Sequence, residues 1–90
     1  MESKNYFEVD VTIGSQSTVA TMNESAEGQF GLMYGGAKFL NSTHNTLKAT
    51  IADFESCLRD DKPDQTVVIG QPRTISRDQA EKNKPNDWSH

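Results

Sequence analysis

The stretch Tyr6-Phe7-Glu8-Val9-Asp10-Val11-Thr12-Ile13 decides the fold. It alternates without a break. Phe7, Val9, Val11 and Ile13 fall on one side of an extended chain, and Glu8, Asp10 and Thr12 fall on the other. Successive side chains of a strand point to opposite faces, so this run predicts a strand with one buried and one wet face. Gly14 follows, a residue that takes the positive φ of a tight hairpin turn at no steric cost. Gly14-Ser15-Gln16 therefore reads as a turn and Ser17–Met22 as the returning strand. A lone hairpin is marginal in water, so another element must cover its apolar face.

That cover lies further along the chain. Leu40, Leu47, Ile51, Phe54 and Leu58 share a helical face, with Asn41, Ser42 or Thr43 available as caps and Pro63 as a stop. The spacing predicts a helix from Ser42 to about Asp60. Thr66–Ile69 predicts a short third strand, with Pro63 and Pro72 suiting it to a sheet edge. The expected fold is a small α+β domain over residues 1–72. A hairpin and third strand pack against one main amphipathic helix, followed by a polar, flexible tail over 73–90 in which Arg77–Lys84 has room for one or two helical turns.

The segment between hairpin and helix is ambiguous. Asn23 can cap a helix starting at Glu24-Ser25-Ala26-Glu27. Gly28, Gly31, Gly35 and Gly36 instead argue for a broken helix, a loop or a strand around Gln29–Tyr34. A heptad-like pattern runs through Ala26, Phe30, Met33, Ala37, Leu40, His44, Leu47, Ile51, Phe54 and Leu58. It fits one long helix kinked at Gly35-Gly36, or two elements whose spacing coincides. The glycines and Asn41-Ser42-Thr43 favour two elements.

Composition bounds function. Ninety residues give one domain at most, and 33% hydrophobic residues give a thin core, for which self-association is a common support. Thirteen acids against nine bases give a net charge of -4, which disfavours a phosphate-backbone footprint. Cys57 is the sole cysteine, so neither an intrachain disulfide nor a cysteine metal cluster is available. With no leader and no membrane-length apolar run, the expectation is a cytoplasmic protein.

Catalytic constellations are not evident. On a helix from Ser42, His44 and Cys57 stand about 20 Å apart and cannot share a proton. Cys57 then reads as a small hydrophobe beside the core, and His44 as a seam or interfacial residue. Asp53, Glu55, Asp60, Asp61 and Asp64 read as a solvated helix end and linker, without the order of a calcium loop. Gly35-Gly36 with Lys38 lacks the spacing of a phosphate loop. Arg73, Arg77, Lys82 and Lys84 give only a weak field, diluted by Asp78, Glu81 and Asp87. No metal or cofactor is expected.

The expected function is non-catalytic protein binding by an adaptor or inhibitor, as a homodimer or higher oligomer. Phe30, Met33, Tyr34, His44 and Trp88 are the candidate partner-binding residues. Trp88, an aromatic in a polar tail, suits an anchor role. Two alternatives stand: a structural subunit of a larger assembly, and a small-ligand module or small enzyme with its site at a subunit interface.

Overall fold

A computed structural model describes residues 4–35 and 43–83. Expectations placed on Gly36, Ala37, Lys38, Leu40, Asn41, Ser42, Lys84, Asp87 and Trp88 lie outside the described residues. The first strand, β1 (Asn5–Ile13), pairs antiparallel with β2 (Gln16–Glu24) through a two-residue turn. Gly14 has φ +60° and Ser15 a negative φ, the pattern of a type II′ turn, whose twist matches that of the flanking strands. The returning strand is longer than its sequence suggests at both ends. Asn23 pairs with Tyr6 inside β2 and caps no helix. Period-two alternation through Thr18, Ala20 and Met22 carries the strand on, and Glu24 takes a hydrogen bond from Asn5 at 2.9 Å.

Ser25–Gln29 turns the chain, with Gly28 at φ +82°, into β3 (Phe30–Gly35) beside β2. The strand alternative for the glycine-rich segment is the one realised. A continuous Ala26–Leu58 helix is thereby excluded, and the heptad spacing across it is a coincidence of two elements. The register jumps from Thr21↔Tyr34 to Met22↔Leu32, leaving Met33 as the extra residue of a bulge.

Helix α1 (Leu47–Asp61) starts later than the spacing predicts. His44 forms an antiparallel bridge with Phe30, which keeps His44 itself out of the helix. The cap is Thr46, whose hydroxyl accepts the Ala49 N–H at 3.1 Å. The apolar face of α1 lies on the sheet. Phe54 and Leu58 pack with Val9, Val11, Ala20, Met22 and Leu32, while Leu47 and Ile51 close the margin. The buried Thr50 hydroxyl lies within hydrogen-bond reach of the Thr46 and Phe30 carbonyls, tying α1 to β3.

The third strand forms as β4 (Val67–Ile69) against β1, and the sheet order is β3-β2-β1-β4. The chain does not leave the fold at residue 72. β5 (Arg73–Ile75) pairs with Tyr6–Glu8, further along the same side of β1. Three residues separate Ile69 from Arg73, but only two separate their partners Val11 and Glu8. The extra residue lies in the Gly70-Gln71-Pro72 link, an irregularity that accommodates a proline lacking an N–H.

Helix α2 (Arg77–Lys82) then covers part of the second sheet face, capped by Ser76 and burying Ala80. The described residues therefore form five strands and two helices, with a layer on each side of the sheet. The sequence-based reading of 73–90 as a tail fails through Asn83 because polar contacts do the joining. The Arg73 guanidinium reaches Glu8 (2.8 Å) and Asp10 (3.0 Å), and the Asn83 amide donates to Glu8 (2.7 Å) and to the buried Thr21 hydroxyl (3.0 Å).

Candidate functional site

The outer edge of β4 is the most distinctive surface of the described residues. The Gly14 N–H donates to the Thr66 carbonyl at 2.9 Å, and the Gly70 N–H donates to the Asp10 carbonyl at 2.9 Å. Thr12 and Val68 are paired midway between these bonds. Hydrogen-bonded pairs alternate along an antiparallel ladder, so the Val68 amide and carbonyl face β1. Those of Val67 and Ile69 consequently face away from the sheet, and no described strand lies beyond them. Val68 is the exposed large hydrophobic of the described residues, at 55% exposure.

An interrupted cleft, made of two separate concavities, accompanies this edge on the α1 side. One is a concavity of about 420 Å³ lined by Leu47, Lys48, Ile51, Gly70, Gln71 and Pro72. The other is a concavity of about 290 Å³ between the end of α1 and Gln65-Thr66-Val67, lined also by Arg59, Lys62 and Pro63. The second concavity follows from Pro63, which stops the helix and returns the chain toward β4. The first follows from the Gly70–Pro72 irregularity, which holds that stretch of the edge apart from Leu47 and Ile51.

The candidate residues named from sequence do not form one surface. Phe30 lies on the core face against Phe7, with ring centroids 6.0 Å apart. Met33 is the half-buried bulge residue, and Tyr34 lies on the opposite face, paired with Thr21. Burial raises the Tyr34 pKa above its ordinary value, with smaller upward contributions from Glu81 and Tyr6. Trp88 is outside the described residues.

His44 is not on a helix, so the expected separation from Cys57 does not hold. The His44 Nε2 lies 3.0 Å from Asp53 Oδ2, and the Cys57 Sγ lies 3.8 Å from Asp53 Oδ1. A carboxylate thus stands between imidazole and thiol. It anchors the ring against α1 but does not let it take the thiol proton, so the trio is not a nucleophile–base pair. Among the described residues no group of three or more His, Cys, Asp or Glu is placed to hold a metal ion.

The Arg73 cluster is the strongest electrostatic feature. Hydrogen bonds from Arg73 and then Asn83 hold the Glu8 carboxyl below its usual range. Arg73 likewise depresses Asp10, and the two acids push the guanidinium above its ordinary value. All of Arg73's charged partners lie within the fold, so the cluster reads as a clasp for β5 and α2. Sequence reasoning missed it, although two acids on one strand face are a signal that a cation must be found. It also missed Lys48 and Lys62, which line the cleft, because neither belongs to a motif. No described helix is long and apolar enough to cross a membrane. Comparison with protein-family models, with curated proteins and with solved structures found no match to this chain.

Proposed function

We propose that this chain is a non-catalytic, cytoplasmic protein-binding module that takes an extended segment of a partner along the outer edge of β4. The observation that carries this reading is the outward-facing hydrogen-bonding groups of Val67 and Ile69 beside a helix-walled cleft. Strand addition uses such an edge for affinity and flanking depressions for side-chain choice. Alternate side chains of an added strand would enter the cleft against Leu47 and Ile51. The others would lie on the second face, beside exposed Val68. The polar clasp supports the reading indirectly: it fixes β5 and α2 on β1, so the edge is presented on a rigid sheet.

A homodimer through the same edge is the second reading. A two-fold axis at Val68 pairs Val67 with Ile69 of the other copy and sets Val68 on Val68. Three residues of edge between Pro63 and Pro72 are short for the roughly 1,200–2,000 Å² that stable interfaces bury, so an unlike partner that also fills the cleft is favoured.

Selection of peptides from a displayed random library, followed by amide mapping in solution, tests the proposal. Selected peptides are expected to shift and protect the Val67 and Ile69 amides, and Val68→Lys to weaken them. Peptides that map to Phe30–Tyr34, or that bind Val68→Lys unchanged, overturn it.

A further inference from the structure

Resting on that strand-addition reading, we infer that the segment received at β4 is acidic at both ends and apolar between them. The cleft walls set this chemistry. Lys48 lines the concavity beside Gly70–Pro72, and Lys62 lines the one beside Gln65–Val67. Neither ammonium group has an ion-pair partner among the described residues. Lys48 lies on the first turn of α1 and Lys62 is the residue that caps its C-terminal end, so the two stand at opposite ends of the helix. Glu55 falls midway between them in sequence, but Arg59 engages it in an ion pair. On β1, Arg73 holds Glu8 and Asp10, while Asp61 and Asp64 neighbour Lys62 in sequence. What remains along the cleft is a cation at each end with Leu47 and Ile51 near one of them.

The spacing fixes the ligand's length. The rise of an α-helix sets the Cα of Lys48 and that of the cap residue Lys62 about 21 Å apart. An extended chain covers that distance in about six residue steps. Positions 1 and 7 of a heptapeptide meet this requirement and, being both odd, point to the same side of the added strand. Positions 3 and 5 share that side and carry the apolar contacts. The chain's net charge of -4 does not cancel the attraction, because exposed charges beyond about 8 Å are largely screened at physiological salt. Lys62 stands between Asp61 and Asp64 in sequence, so the Lys48 end is expected to contribute more.

Three blocked heptapeptides test the inference, with valine at positions 3 and 5, threonine at 2, 4 and 6, and glutamate, glutamine or lysine at 1 and 7. Binding to the full chain is read from the amide shifts of Val67 and Ile69 at low and high salt. The glutamate peptide is expected to bind about five- to tenfold tighter than the glutamine peptide, the scale of two exposed ion pairs. The lysine peptide is expected to bind weakest. The difference should shrink with salt and vanish in Lys48→Gln/Lys62→Gln. Equal binding of the glutamate and glutamine peptides overturns the acidic preference and leaves the edge reading standing. If none of the three moves these amides, both readings fall. Shifts that depend on protein concentration alone assign the edge to a second copy and overturn the inference as well.

Discussion

The two faces of the sheet are joined to their helices by different physics. On the first face Val9, Val11, Ala20 and Met22 meet Phe54 and Leu58 of α1 in a dry apolar layer. On the second face Glu8, Asp10 and Thr21 meet Arg73 and Asn83 through charge and hydrogen bonds, with Ala80 as the buried apolar residue of α2. Apolar burial removes area from water and tolerates imperfect geometry. A polar clasp contributes only when each donor and acceptor is matched, and it leaves a penalty behind when one is removed. The first face therefore carries most of the stability, and the second decides where β5 and α2 lie.

The largest break of that contrast is Phe54→Ala. Phe54 is 1% exposed and central to the apolar layer. Its truncation is expected to cost about 3–5 kcal/mol, a large share of what a domain of this size has. Urea unfolding should show the loss as a shifted midpoint, with all probes moving together.

Asn83→Ala acts on the other face and is expected to cost less, about 1–2 kcal/mol, because Thr21 and Glu8 each lose a donor. Its effect should be local. Hydrogen exchange is expected to rise in α2 and β5 at constant protection of the β1–β2 ladder. Uniform loss of protection would mean that the second face is as central to stability as the first.

Acid sharpens the comparison further. Glu8 and Asp10 have folded pKa values below their ordinary values, mainly through Arg73. Groups with a depressed folded pKa bind fewer protons folded than unfolded as pH falls through the ordinary carboxylate range. Their contribution is thus complete above that range and is lost as pH drops through the lowered values. The effect is smaller than that of Asn83→Ala, since Arg73 and Asp10 are exposed to solvent screening. Unfolding curves from pH 6 to pH 2 should show a steeper acid loss for the natural chain than for Arg73→Met. Parallel curves would remove the clasp as the cause.

The same division explains what the sequence could reveal. The alternation from Phe7 to Ile13 and the spacing of Leu47, Ile51, Phe54 and Leu58 are periodic signals of apolar burial, and both elements pack as they predict. The second face has no such period. Arg73 recognises Glu8 and Asp10 across more than sixty residues of chain, and nothing local marks Arg73-Thr74-Ile75 as a strand. His44 misled for a related reason. It continues the apolar stripe of α1 in spacing, but its backbone pairs with Phe30 and its ring turns to Asp53. Of the candidate site, Thr66–Ile69 with its flanking prolines was legible as an edge. The cleft beside it was not, because its depth depends on how far α1 stands from Gly70–Pro72.

Val68→Lys is expected to have the smallest effect on stability and the most selective effect on function. Val68 lies on the second face of β4, beyond the clasp, and is mostly exposed. Surface substitutions of this kind change stability by about 0.5 kcal/mol or less. A lysine there places a charge beside an edge on which no described strand lies, the device by which edge strands resist pairing with other chains. The thermal midpoint is therefore expected to stay near that of the natural chain while strand addition at Val67 and Ile69 is lost. A large fall in the midpoint would show instead that Val68 supports the fold, and the edge would then belong with the two packed faces.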